Sequence, residues 1–226
     1  LDGGAGSDTL TGDGGADDYA RGGAPGTDTF VLRAGDGGSL LTNADIITDF
    51  ADGSDVLGLD DGLLYTELTR VQGTGDYAND TIISKGAEYL AILQGINASD
   101  VNYLDFASMA TGNQNFTGTT DDDVFIGAAG VDTVTTNSGN DVILTSSGDD
   151  IITVNGAGNK TIDGGAGTDS LTINYGSYGI TDFTIDVSGG YFRFTDPSNK
   201  VVSFKNIDTL TVGSTSYKLI YDGTDG

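Results

Sequence analysis

The chain has 226 residues, 37 of them glycine and 2 proline, with a formal charge of −25 from 34 acidic against 9 basic residues. That charge excludes nucleic acid and anionic lipid as direct partners, since both need basic patches, and a compact state repels itself unless cations are taken up. With no cysteine and no histidine, disulfide staples, soft-metal sites and the usual nucleophilic triads are excluded as well.

All the acids but Glu67 and Glu88 are aspartate. Aspartate keeps its carboxylate close to the backbone, which suits turns and oxygen cages for a hard cation. The aspartates are also periodic. Residues 1–31 carry three nine-residue units, Gly3–Thr11, Gly12–Ala20 and, after two extra residues, Gly23–Val31. Glycine falls at the fourth place (Gly6, Gly15, Gly26), aspartate at the sixth (Asp8, Asp17, Asp28) and a large apolar or aromatic residue at the eighth (Leu10, Tyr19, Phe30). Leu1 and Asp2 already fill the last two places of a unit, which predicts that the chain is cut from a longer protein.

Further along, the alternation in Asp45–Phe50 and Val56–Leu59 predicts short strands joined by the Gly53–Asp55 turn. Thr81–Ser84 and Glu88–Leu93 read as a hairpin about Lys85-Gly86, and Leu63–Arg70 and Ser99–Met109 are the segments where a short helix fits. Ala110–Gln114 reads as a linker. The nine-residue unit then returns over Gly118–Thr172, with Asp123, Asp132, Asp141 and Asp150 at the sixth place and Phe125, Val134, Ile143 and Ile152 at the eighth. It slips by one residue at Val154 and resumes with Lys160/Ile162 and Asp169/Leu171. Phe183–Val187, Tyr191–Asp196, Val201–Lys205, Thr209–Val212 and Ser216–Tyr221 alternate as strands. The expected fold is all-β, in two domains of one plan. Residues 1–112 form a roll (1–31) and a β cap (32–112), and residues 113–226 a roll (118–172) and a β cap (173–226), the caps mostly antiparallel.

A glycine turn followed by Asp–x–apolar winds naturally into a parallel β solenoid, because period-two alternation puts places six and eight on one side of the strand. Two units make one coil, apolar residues stack inward in two facing rows, and sixth-place carboxylates stack at the turns about 4.8 Å apart. Like charges that close need a cation between layers, and carboxylates with turn carbonyls make an all-oxygen cage suited to calcium.

The units GGAGSDTLT (Gly3–Thr11), GAAGVDTVT (Gly127–Thr135) and GGAGTDSLT (Gly164–Thr172) resemble the repeats of the RTX (repeats-in-toxin) family of secreted bacterial proteins. Asp45–Phe50 resembles the cap that follows such repeats in serralysin-like and cyanobacterial members. The resemblance implies parallel β-rolls loaded with several calcium ions, export through type I secretion machinery, folding triggered by extracellular calcium, and support of neighbouring domains outside the cell or at its surface. Carried over by position, Asp8 pairs with Asp28, Asp123 with Asp141, Asp132 with Asp150 and Asp150 with Asp169, while Asp17 lies on the other flank of the first roll. Turn carbonyls at Gly4, Gly6, Gly127, Gly130, Gly139, Gly148, Gly165 and Gly167 complete the cages, and Asp45 and Asp49 close the last site of the first roll. No catalytic residue and no membrane insertion is expected, and Asp121–Asp123 belong to the repeat rather than to a carboxylate pair for catalysis. Surface-layer, adhesive or glycan-binding roles on the same roll, and membership of an RTX enzyme such as a protease or lipase, are the alternatives.

The sequence departs from the pattern in three ways. Lys160 stands where aspartate belongs, so the Asp141/Lys160 layer should lack calcium, with the ammonium in the ion's stead. Asp121 replaces the fourth-place glycine of the first unit in the long array. The second place there is Thr119, Ala128, Asn137 or Ser146 rather than glycine, so its turns should bind the ion more weakly. The turn pairs Thr119-Thr120, Ala128-Ala129 and Ser146-Ser147 share no one chemistry, so no regular outward row is expected from them.

Overall fold

The Asp–x–apolar tails become strands because their β-branched and aromatic residues alternate between a buried and an open side. The computed structural model describes residues 1–12, 19–23 and 26–219, and it falls into two compact units, Leu1–Ala110 and Thr111–Gly226.

In the first unit the strands are β1 (Thr9–Thr11), β2 (Tyr19–Ala20), β3 (Thr29–Leu32), β4 (Asp45–Ile47), β5 (Val56–Leu59), β6 (Leu68–Gln72), β7 (Thr81–Lys85), β8 (Glu88–Leu93) and β9 (Phe106–Ser108). One sheet runs β1-β3-β5-β9, parallel throughout, and the other runs β2-β4-β8-β7-β6. β2-β4 and β4-β8 are parallel, and β8-β7 and β7-β6 antiparallel. The roll thus continues past the third repeat. β4, β5, β8 and β9 add layers to it, and β6–β7 form the antiparallel excursion. Leu10, Phe30, Leu57 and Phe106 sit in register down one inner row and are all buried. The segments that had room for a helix hold only three-residue 3-10 turns, Tyr65–Glu67 and Tyr103–Asp105, each running straight into a strand.

The second unit contains β10 (Asn115–Thr117), β11 (Val124–Ile126), β12 (Thr133–Thr136), β13 (Asp141–Leu144), β14 (Ile151–Val154), β15 (Lys160–Asp163), β16 (Ser170–Ile173), β17 (Thr184–Ser188), β18 (Tyr191–Thr195), β19 (Val201–Lys205), β20 (Thr209–Val212) and β21 (Thr215–Lys218). Alternate strands go to alternate sheets, as two repeats per coil require. The sheets are β10-β12-β14-β16-β20-β21 and β11-β13-β15-β19-β18-β17. β19 and β20 join in parallel and carry the roll one coil beyond the last repeat, while β17, β18 and β21 cap it antiparallel.

Two inner rows face each other here: Phe116–Val134–Ile152–Leu171–Leu210 on one sheet and Phe125–Ile143–Ile162–Phe204 on the other. Ile143, Ile152, Ile162, Leu171, Phe204 and Leu210 are wholly buried, which fixes the register: a slip by one residue would turn each row to solvent. Phe116 and Phe125 stack at 5.0 Å between centroids at one end of this core, and Phe194 packs on Phe204 at 5.2 Å at the other. Among the described residues, no helix is long and apolar enough to cross a membrane.

Candidate metal centre

Each parallel layer brings the sixth-place residue of one coil beside that of the next. The backbone amide of each donates to the carboxylate one layer on: Asp8 to Asp28 Oδ1 (2.9 Å), Asp28 to Asp55 Oδ1 (3.0 Å), Asp132 to Asp150 Oδ1 (2.7 Å), Asp150 to Asp169 Oδ1 (2.9 Å) and Asp169 to Asp208 Oδ2 (2.9 Å). The Asp123 amide likewise donates to Asp141 Oδ1 at 3.1 Å. Carboxylates are therefore held in ladders by one oxygen each. The second oxygen decides what the ladder can bind.

On five ladder residues that oxygen is buried and receives no hydrogen bond: Oδ2 of Asp8, Asp28, Asp141, Asp150 and Asp169. Asp141 Oδ2 has the Lys160 ammonium 2.8 Å away, and among the described residues the other four have no cation beside them. A buried carboxylate oxygen without a donor is costly, and stacking several on one flank multiplies the cost. Burial, reinforced by the neighbouring carboxylates of Asp150, Asp208 and Asp149, pushes the Asp169 carboxyl up to about 6. Burial also raises Asp132 above its ordinary range.

The turns press against these oxygens. A Cβ at Gly3, Gly22 or Gly164, at or just before the first place of a unit, would come within 2.8, 2.2 and 2.8 Å of Asp8, Asp28 and Asp169 Oδ2 respectively. Successive turns also stack carbonyl on glycine. Cβ atoms at Gly23, Gly26, Gly165 and Gly167 would lie 2.0, 1.8, 1.9 and 1.8 Å from the carbonyl oxygens of Gly4, Gly6, Ser146 and Gly148. Gly165 and Gly167 have φ of +79° and +142°, so glycine is required there for conformation as well as for space. Among the described residues no three carboxylates gather at one point. A cage must draw its remaining oxygens from these carbonyls, a donor set that suits a hard cation.

The flanks of the second unit differ. Asp123 Oδ2 accepts from the Thr119 amide (2.7 Å) and hydroxyl (3.2 Å), and Asp132 spends its oxygens on the Gln114 (2.7 Å) and Ala128 (2.9 Å) amides. Both lie at the start of the array, where the turn's own amide, Thr119 or Ala128, reaches the carboxylate. A Cβ at Gly127 would meet Asp132 Oδ2 at 2.4 Å, and the carbonyls of Gly130 and Gly139 back onto Gly148 and Gly158 of the next layer. The Asp141 layer is closed by Lys160, whose ammonium lies 2.8 Å from Asp141 Oδ2 and donates to the Gly139 carbonyl.

In the first unit, Asp17 lies outside the described residues. Asp45 sits at the start of β4, in register with Ala91. Asp49 gives both oxygens to the Gly22 and Gly23 amides, each at 3.0 Å, with Arg21 3.6 Å away. It clamps the turn, and the layer beneath Asp28 is closed by Asp55. Sequence reasoning passed over two ladder residues, Asp55 and Asp208. Gly53-Ser-Asp55-Val-Leu57 keeps the glycine, aspartate and apolar places of the repeat, and Asp208/Leu210 keeps the last two, so the spacing signal was present in both.

No curated protein matches the chain. The nonapeptide arrays do find a match, and its break at 153–155 falls where the register slips by one residue. Asp8, Asp123, Asp132, Asp141, Asp150 and Asp169 of the ladders fall within a known repeat, for the chain carries four copies of the RTX calcium-binding nonapeptide repeat, over residues 1–24, 117–152 and 156–172.

Proposed function

We propose that the chain is a calcium-dependent folding module of a secreted or cell-surface bacterial protein. It passes through type I secretion machinery unfolded, folds on meeting extracellular calcium and then supports neighbouring domains of its parent. The observation that carries this reading is the set of four buried Oδ2 atoms with neither a donor nor a cation beside them, on Asp8, Asp28, Asp150 and Asp169. Read as ion positions, they pair Asp8 with Asp28, Asp28 with Asp55, Asp150 with Asp169 and Asp169 with Asp208. Calcium supplies the positive charge that these layers lack, and the turn carbonyls of Gly6, Gly26, Gly148 and Gly167 complete the oxygen sets.

Magnitudes favour a switch. Extracellular calcium modules bind with Kd of about 0.1–1 mM. At ten times Kd one site contributes about 1.4 kcal/mol, so the two sites of each unit contribute about 3 kcal/mol, a large share of a domain's stability of about 5–15 kcal/mol. A chain at −25 that loses this term repels itself open. Circular dichroism tests the reading: a largely unfolded spectrum in EGTA should convert to a β spectrum in millimolar calcium. A full β spectrum in chelator would refute it.

A second reading, an adhesive or glycan-binding module, is favoured by one feature of the second unit. Thr117, Thr135, Thr153, Thr172 and Thr211 stand in register across five parallel strands, each on the side away from the buried rows. The column occupies the ninth place of the repeat, not the turns. Retention of the folded protein on insoluble polysaccharide, abolished by Thr153→Lys, would support this reading, and indifference to that change would count against it.

A further inference from the structure

Lys160 is 1% exposed, an unusual place for a lysine in a chain with so few cations. Its Cα is in register with Asp141, at the repeat place that aspartate fills in every other unit of the array. The side chain folds across its own turn, so that a Cβ on Gly158 would lie 3.1 Å from Nζ. Nζ then reaches two atoms of the preceding layer, Asp141 Oδ2 at 2.8 Å and the Gly139 carbonyl. On the opposite flank the equivalent atoms are Asp150 Oδ2, buried like Asp141 Oδ2 but with no ammonium beside it, and the Gly148 carbonyl, with Asp169 where Lys160 would be. The two layers differ in who supplies the cation. Their charges agree: one carboxylate plus one divalent ion carries a net +1, and so does one ammonium.

We infer that Lys160 is a resident cation, its ammonium standing permanently where its sister layers take calcium, so that the Asp141 layer is closed by the chain itself. The inference rests on the calcium reading above and goes beyond it in two respects. It sets the ion count of the second roll one lower than its repeats imply. It also leaves β13 and β15 stapled to each other along their sheet in the absence of metal, with Ile143 and Ile162 packed between the sheets. The middle of the second array is then the part least dependent on calcium, and the flank of Asp150 and Asp169 the part most dependent on it. An ordinary buried ion pair would need neither the Gly139 carbonyl nor the sixth place of the repeat. The coincidence of both with the sister layer's geometry is what favours a stand-in for the ion.

The test is a charge reversal that rebuilds the repeat. Lys160→Asp in the full chain should bind one more calcium ion than the wild type by isothermal titration, and should lose the residual β structure that the wild type keeps in chelator. Lys160→Met, which removes the charge without adding a ligand, should bind the wild-type number of ions and melt below the wild type even in saturating calcium. An unchanged stoichiometry in Lys160→Asp, or failure of that variant to fold at any calcium concentration, would overturn the inference. Failure of the wild type to take up calcium at all would instead overturn the underlying reading and this inference with it.

Discussion

Asp150 and Asp169 are joined by one hydrogen bond, from the Asp150 amide to Asp169 Oδ1 at 2.9 Å, while the Oδ2 atoms of both remain buried without a donor. The backbone of the roll thus forces two carboxylates into adjacent layers and satisfies only half of each. A cation between them turns that repulsion into a cross-link, and the consequences can be measured residue by residue.

Asp169→Asn should be the most damaging single isosteric change in the second ladder, because Asp169 serves the layers on either side of it. It keeps an acceptor for the Asp150 amide but loses the charge. The variant should bind fewer calcium ions by titration and melt lower in calcium. Asp123→Asn should leave both nearly unchanged, since Thr119 already holds Asp123 Oδ2.

Acid should act in opposite directions with and without metal. The Asp169 carboxyl, at about 6 in the folded chain against an ordinary 3.8, binds its proton more tightly folded than unfolded. The calcium-free fold therefore gains stability as pH falls through the window from about 6 to 4, and loses it as pH rises back through that window. Without calcium the residual β signal in circular dichroism should be larger at pH 5 than at pH 7.5. In calcium the same protons compete with the ion, so the apparent calcium affinity should be lower at pH 5.

Much of this was legible in the sequence, for a physical reason. A solenoid repeats one local rule, so Gly6/Asp8/Leu10 or Gly148/Asp150/Ile152 states turn, ladder and core in five residues. What the repeat did not announce came from outside it. Val201–Lys205 and Thr209–Val212 extend the roll in parallel, and their pairing with Lys160–Asp163 and Ser170–Ile173 depends on a chain reversal through β17 and β18 that no local pattern encodes. Asp208 enters its ladder by that reversal, while Asp55 enters through the Gly53/Asp55/Leu57 spacing, a single unit standing apart from the array. Which carboxylate oxygens are already satisfied depends on whether a turn amide reaches them, as Ala128 does for Asp132 and the amides of Gly22 and Gly23 do for Asp49, and that is geometry rather than composition.

The turn stacking predicts a sharp glycine requirement. Gly167→Ala would put a Cβ 1.8 Å from the Gly148 carbonyl at a φ of +142°, costing at least about 1–3 kcal/mol by strain alone. Gly112→Ala, with nothing within 4 Å of its Cβ and no positive φ, should be neutral or slightly stabilising. Thermal melts in calcium compare the two.

The facing apolar rows predict a packing cost independent of metal. Ile162 is wholly buried between Ile143 and Phe204, so Ile162→Ala should lower stability in saturating calcium by about 2–5 kcal/mol. Ile185→Ala, at a residue 46% exposed on β17, should change it by less than about 0.5 kcal/mol. Urea titrations at fixed calcium measure both.

The most direct measurement is an anomalous difference map from crystals grown in calcium. The account predicts peaks beside Asp8 and Asp28, Asp28 and Asp55, Asp150 and Asp169, and Asp169 and Asp208, with none between Asp141 and Lys160. Absence of density at the four carboxylate pairs, or a calcium ion at Lys160, would contradict it.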